Sequence, residues 1–326
     1  MQITADFVED VRRRLSSELE TLGYKLAAPT GNTYKDARRV CVDHWNAYAR
    51  RIPTRPRAVH RSRELQDREP RLEADLRTGL ASVEQALRRG DDLTSRLSRK
   101  LGKRAFNDKM LNDWGIHHLH LGSNVEGDGF TERTDDVLFL MVREDDAYLL
   151  DVRPHGAWAD DDFIEIVHTN WPSAIEEFRL SGIRATALTT EQWKNLRAKS
   201  RNAAVGTKDG TVYAAIGGGL VSSGSNIRAI RWGDYMLMTA QAIEKAVTAL
   251  DADALADEIR DVSGVRPDRL ELRLGYISRD HALVLVANAA RPFGIKVPIA
   301  DAEEIVIDLR PNADTHAAPG RSESEA

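Results

Sequence analysis

Apolar residues recur at helical steps over the first hundred positions and then switch to alternation. Phe7, Val11, Leu15, Leu19, Leu22 and Leu26 stand three or four apart, with Arg12, Arg13, Arg14, Glu18 and Glu20 between them, which predicts an amphipathic helix over 5–26. A second helical pattern through Tyr34, Ala37, Cys41, Trp45 and Tyr48 is closed by Pro53 and Pro56. Leu72, Leu76, Leu80, Val83 and Leu87 predict a third helix ended at Gly90, and Leu93, Leu97 and Leu101 a short fourth. Near residue 112 the period becomes two. Ile116, His118 and His120 then share one face of a strand, and His117, Leu119 and Leu121 the other. The apolar runs DVLFLMV and AYLLDV, separated by residues 143–146, predict a hairpin. Phe163, Ile164, Val167 and Trp171 return to helical spacing behind Asp160, Asp161 and Asp162, which suit a helix N-terminus.

Further on, Thr189 and Gln192 form a capping-box pair, Asp209-Gly210 marks a hairpin into TVYAAI, and the stretches from Tyr235 to Val247 and DADALADEIRDV are helical. Strands at LELRLGYI, ALVLVAN and EIVIDL complete a C-terminal αβ unit. The fold class that results is α+β. A basic helical domain over 1–110 is followed by a central, mostly antiparallel sheet over 111–202 and the αβ unit over 203–310. The tail over 311–326 has no apolar periodicity and is expected to be disordered.

Composition narrows the setting. The single cysteine, Cys41, excludes a disulfide framework and a cysteine-rich zinc site, which fits a reducing cytoplasm. The N-terminal stretch lacks the signature of a signal peptide, and eighteen consecutive apolar residues occur nowhere, so neither secretion nor a membrane span is expected. The net charge of −5 hides a division into +8 over residues 1–109 and −13 over 110–326. Such asymmetry suits a nucleic-acid-contacting module, and equally two halves that attract each other. In the connector IPTRPRAVHRSREL and its approach, Arg51, Arg55, Arg57, Arg61 and Arg63 surround prolines that hold the backbone extended. Guanidiniums in that arrangement can track a phosphate backbone. The alternative is a solvated loop.

Five of the nine histidines fall between Trp114 and Trp171. Cleaving RNA through its own 2′-hydroxyl needs a base, an acid and a cation, and imidazoles serve as both base and acid near neutral pH. His118 and His120 on one strand face, His155 beyond the third strand and Arg133 before the second are the candidates, with His118 and His120 as acid and base and Arg133 and His155 stabilising charge. No cofactor and no metal enters that reading. Trp158, which follows the turn at Gly156, is a candidate for stacking on a nucleobase. Other readings stay open. His118 and His120 present two ligands for a metal, with Glu126, Asp135 or His155 as a third. The histidines can also simply hydrogen-bond to backbone and to the plentiful aspartates. A glycine-rich loop of Gly217, Gly218 and Gly219 with Ser222, Ser223 and Ser225 precedes a helix and could cradle an anion, which would make the protein a ligand sensor. A non-catalytic protein whose basic helices dock an acidic partner is the third class.

The segment 115–170 resembles the sheet of small ribonuclease toxins of the RelE kind. The resemblance rests on a strand ending in Gly122, the Arg133-Thr134-Asp135 opening to an apolar strand, an acidic turn at Asp145-Asp146, a further apolar strand and then His155. It implies a helical N-terminal part, an antiparallel sheet carrying basic and imidazole groups, action on messenger RNA and control by an antitoxin or other neutralising protein. It also suggests roles for Arg133 and His155. The expectation is therefore a cytoplasmic ribonuclease of the toxin or phage-defence type with RNA as partner and no membrane contact; whether it forms a homo-oligomer stays open.

Overall fold

In the computed structural model, which describes residues 1–157, 162–278 and 281–299 and the backbone of 307–308, the change of period near residue 112 marks the first strand of a sheet. The α+β class expected from the sequence is what the chain adopts. It divides into two compact units, one of residues 1–45 and 231–326 and one of residues 46–230. The boundaries expected at 110 and 202 both fall inside the second unit.

The first unit opens with β1 (Ile3–Thr4), α1 (Phe7–Thr21) and the start of α2 (Thr33–Ala49). Asp6 caps α1 by accepting the N–H of Glu9 at 2.9 Å, and the helix buries Phe7, Val11, Leu15 and Leu19 along one stripe. Cys41 is buried, and burial pushes its thiol up to about 12, which makes it unreactive.

The second unit contains β2 (Ala58–Arg61), α3 (Arg63–Arg68), α4 (Ala74–Arg89), α5 (Lys109–Trp114), β3 (Ile116–His120), β4 (Asp136–Val142), β5 (Asp146–Pro154), α6 (Asp162–Asn170), β6 (Arg179–Leu180), α7 (Thr190–Ala198), β7 (Val205–Gly206) and β8 (Val212–Tyr213). Its main sheet has the order β2-β5-β4-β3, antiparallel except for β2, which runs parallel to β5. Both faces are covered. Leu80, Val83 and Leu87 of α4 pack with Leu119, Leu138, Leu140 and Leu149 on one side. Phe163, Ile164 and Val167 of α6 and Trp193 of α7 pack with Ile116, Val137, Phe139 and Leu150 on the other. Strands buried on both faces read as continuous apolar runs, which is why DVLFLMV is legible as β4 to its end residues.

Two local expectations need correction. The fourth helix is two 3₁₀ turns, Thr94–Arg96 and Arg99–Gly102, because Asp92 and Ser98 accept the N–H groups of Thr94 and Lys100 and interrupt an α-helical ladder. The arginine connector forms β2 in place of a strap in solvent. Arg55 pairs with Glu144 and Asp145 at 2.8 and 2.7 Å, buried Arg57 donates to the carbonyls of Arg143 and Pro53, and Arg61 pairs with Glu84 and Glu69. Arg51 donates to the carbonyl of Ala47 at 2.6 Å, and Arg63 is exposed at the start of α3. The reason is the parallel pairing itself, which sets the connector against the acidic turn between β4 and β5.

The first unit is completed by α8 (Ile227–Thr248), which begins in the second unit, and by α9 (Ala252–Ser263), β9 (Leu270–Ile277), β10 (His281–Val286), β11 (Gly294–Pro298) and β12 (Ile307–Asp308). The sheet order is β1-β9-β10-β11, with β12 also pairing β9. The sequence pattern does not announce β11, an edge strand bounded by Pro292 and Pro298. Trp158, Asp160, Asp161 and the tail over 311–326 lie outside the described residues. Among the described residues, no helix is long and apolar enough to cross a membrane.

Candidate active site

Strand β3 carries its histidines at the edge of the main sheet. The alternation holds as expected: His118 lies opposite Phe139 and His120 opposite Val137, both on the α6 face, while His117 lies opposite Leu140 on the α4 face. The β4–β5 pairing sets Asp136 opposite Pro154, so the chain just beyond β5 returns to the end of the sheet where His120 stands. There the N–H of His155 donates to the carbonyl of Asp135 at 2.6 Å. The three rings converge. His118 and His155 have centroids 5.8 Å apart and edge to face, His120 and His155 stack at 5.3 Å, and His118 and His120 are 6.5 Å apart. Arg133, in the segment leading into β4, reaches His155 with Nη2 2.9 Å from Nε2. The four residues singled out from the sequence thus form one wall.

Hydrogen bonding fixes what two of these imidazoles can do. A guanidinium only donates, so Nε2 of His155 accepts from Arg133 and the ring proton sits on Nδ1. The N–H of Thr134 likewise donates to Nδ1 of His120 at 3.2 Å, which leaves the ring proton on Nε2. His120 is only 2% exposed, and its Nε2 is buried and finds no hydrogen-bond partner among the described residues. His118 sits beside a carboxylate, with Nδ1 4.0 Å from Oδ2 of Asp108. Asp108 in turn caps α5, its Oδ1 accepting the N–H of Leu111 at 3.1 Å. Burial pushes all three imidazoles below the ordinary histidine value, to about 4 for His120, and the charge of Arg133 adds to the effect. Asp108 opposes it at His118.

The wall opens on a cavity of about 530 Å³, within the range of small-molecule sites. His118, His155 and Arg133 line it, together with Arg99, Lys100, Lys109, Lys194 and Arg197; Asp108 is the lining carboxylate. Arg99 is paired with Glu126 and Asp128, and Lys109 donates to the carbonyls of Arg197 and Ala198. Arg197 is 5% exposed. Its Nε donates to Oδ2 of Asp113 at 3.1 Å, and its guanidinium lies 3.8 Å over the ring of Trp114. Sequence reading missed Arg197, Lys194, Lys100 and Asp108. A signal existed for Arg197, which stands four residues after buried Trp193 and so holds a charge in phase with the apolar face of α7.

Other candidates lie elsewhere or are occupied. His117 is buried on the opposite face of the sheet, and His168 bonds to Tyr213 and Asp209. The glycine loop does not aim its amides at an anion: the N–H groups of Gly217, Gly218 and Gly219 donate to the carbonyls of Asp113, Ala215 and Asn112 at 2.8–2.9 Å. Ser225 sits across from Ser223, 3.2 Å between their hydroxyls, Ser222 precedes them, and the N–H of Val221 closes the turn on the carbonyl of Ser225. Gly217 is required by close approach, since a Cβ there would meet the carbonyl oxygen of Leu111 at 2.1 Å. Among the described residues, no group of three or more histidine, cysteine, aspartate or glutamate side chains is placed to hold a metal ion, so His118 and His120 do not gain the third ligand considered from the sequence. No protein-family model, no curated protein and no solved structure matches the chain.

Proposed function

We propose that the protein is a cytoplasmic, metal-independent endoribonuclease of the toxin or phage-defence type. The observation that carries this reading is that His118, His155 and Arg133 meet on one wall of a cavity rich in cations, with His120 stacked on His155 beside them. The toxin setting, with an antitoxin or other neutralising protein as partner, follows from the resemblance of residues 115–170 to RelE-type toxins.

The hydrogen-bond pattern redistributes the roles expected from the sequence. His120, with Nδ1 accepting from Thr134, has its proton on Nε2 and is not the base; buried and stacked on His155, it is a positioning residue. His155 has its lone pair on Nε2, now facing Arg133, and is the base once that guanidinium turns to the phosphate. His118 has the carboxylate of Asp108 beside it, which opposes the lowering of its pKa by burial, and is the acid. In the step, His155 takes the proton of the 2′-hydroxyl, the 2′-oxygen forms a bond to phosphorus, and the P–O5′ bond breaks. The departing 5′-oxygen receives the proton of His118, giving a 2′,3′-cyclic phosphate and a 5′-hydroxyl. The negative charge of a bound phosphodiester opposes the depression of the imidazole pKa values, so substrate itself promotes protonation of His118.

The test uses purified protein with single-stranded RNA, the same sequence in DNA, and 2′-O-methyl RNA, each with and without a chelator. RNA should be cut to cyclic-phosphate ends in the presence of chelator, with the other two untouched. His155→Ala and His118→Ala should each lower the rate by about 10²–10⁴-fold, with far-UV circular dichroism confirming the fold. Absence of RNA cleavage by the wild type, or its abolition by the chelator, would falsify the reading.

A further inference from the structure

Arg197 carries a second indication of the ligand. It is almost fully buried, yet among the described residues neither Nη1 nor Nη2 finds a hydrogen-bond partner; Nε does, on Asp113. A guanidinium stays charged under all ordinary conditions and carries four N–H donors on those two nitrogens, and leaving such donors unsatisfied in a buried site is costly. The rest of the side chain is well fixed. The Asp113 pair and the stack on Trp114 hold its plane in place, and Lys109 clamps the end of α7 through the carbonyls of Arg197 and Ala198. A planar, held guanidinium with unpartnered Nη donors, in a residue that lines a cavity, has the fork chemistry that binds a phosphate through two parallel hydrogen bonds.

Lys194 strengthens the same spot. It stands three residues before Arg197, on the same side of α7, it is exposed, and it lines the same cavity. The two residues come from α7, whereas the imidazoles and Arg133 come from β3 and from the segments flanking the β4–β5 hairpin. The cavity therefore has two cationic walls built from different parts of the chain. Its volume of about 530 Å³ suits a ligand of nucleotide size, well beyond a lone phosphate group.

We infer that Arg197 and Lys194 form a second phosphate subsite, so that the cavity takes a single-stranded nucleotide chain by two phosphates, one against the imidazole wall and its neighbour against α7. The identity of the first phosphate as the scissile one rests on the ribonuclease reading; the second subsite does not. Single-strandedness follows from confinement, because a chain entering a cavity of this size cannot bring a paired strand with it.

The test measures binding without chemistry. A 2′-O-methyl dinucleotide, which lacks the attacking hydroxyl, is titrated calorimetrically into the full-length protein, and so are the same dinucleotide with a 5′-phosphate and with a 3′-phosphate. At least one phosphorylated form should bind about tenfold tighter than the parent, the size expected of one charge-assisted contact. Lys194→Ala and Arg197→Lys should each bring that form back toward the affinity of the parent. Arg197→Lys keeps a cation beside buried Asp113 while removing the fork, and exposed Lys194 can be truncated without touching the core. Equal binding of all three dinucleotides by the wild type, or a full increment retained in Lys194→Ala, overturns the inference. The two proposals separate cleanly: an increment without RNA cleavage leaves the subsite standing and removes the ribonuclease, and cleavage without an increment does the reverse.

Discussion

The glycine loop at residues 217–219 and the imidazole wall of β3 both contain groups of a chemical kind able to bind phosphate, and they differ in whether those groups are already engaged. In the loop, each of the three amides donates to a carbonyl of the chain, and the absent side chain at Gly217 allows α5 to approach. Beside the wall and across from it, Nε2 of His120 and both Nη atoms of Arg197 are buried and without partners among the described residues. A motif that looks like a ligand cradle is thus a packing device, and a core-like strand and helix face hold the unused donors. Composition and spacing are the same kind of signal in both cases; the hydrogen-bond inventory separates them.

The sharpest way to break this comparison is Gly217→Ala. A methyl group 2.1 Å from the Leu111 oxygen and 2.6 Å from the Asn112 oxygen meets backbone that cannot rotate away. We expect a loss of roughly 3 kcal/mol, read as a fall of about 6–12 °C in the unfolding midpoint. Gly127→Ala, with nothing within 4 Å of the added carbon, serves as the control and should stay within about 0.5 kcal/mol of wild type. A stable Gly217→Ala protein with weakened phosphate binding would return the loop to the role of an anion site.

The difference between the two regions also explains how far the sequence could be read. Strand periodicity gave the shared face of His118 and His120, because a side-chain period of two depends only on local backbone. The arrival of His155 needed a hairpin register, and the separation of the Arg133-to-His155 segment by two apolar strands made that inferable. Asp108, ten residues before His118, reads from sequence only as a helix cap, Lys194 and Arg197 come from an element distant in the chain, and only the packing of α5 and α7 beside β3 gathers them at one cavity. The arginines of the connector point the other way. Their density suggested a nucleic-acid strap, but parallel pairing of β2 with β5, a long-range event without local signature, brings the acids and the Arg143 carbonyl that engage Arg55 and Arg57, and Glu84 of α4 with Glu69 engages Arg61.

A smaller effect sharpens the view of His120 as a buried, unsatisfied group. Its pKa in the folded protein, about 4, lies below the ordinary 6.5, so as pH falls the unfolded chain takes up a proton before the folded one does. Its contribution to stability is therefore complete above the ordinary value and is lost as pH falls toward 4. The slope approaches at most about 1.4 kcal/mol per pH unit, which integrates to about 1.5 kcal/mol between pH 6.5 and 5. Urea unfolding at the two pH values should show wild type losing more stability than His120→Gln by about that amount. Parallel losses in the two proteins would mean that the ring is solvated and that its unpartnered Nε2 has no energetic consequence. His118 and His155, also depressed, act in the same direction in both proteins and cancel in the difference.

Asp108 offers the finest test, because it has one oxygen on each side of the distinction between packing and chemistry. Its Oδ1 caps α5 through the N–H of Leu111, and its Oδ2 faces Nδ1 of His118 at 4.0 Å. Asn caps a helix about as well as Asp, so Asp108→Asn keeps the structural bond and removes the charge. Without the carboxylate the pKa of His118 falls further, since burial and the neighbouring cations then act unopposed. The acid form of His118 would fill only at lower pH. We expect the pH–rate profile of RNA cleavage to move toward acid by about one unit, which lowers the rate near neutrality about tenfold, while the unfolding midpoint stays close to that of wild type. An unchanged profile together with reduced stability would make Asp108 a helix cap and nothing more, and would leave His118 without the carboxylate that singles it out from the other two imidazoles as the proton donor.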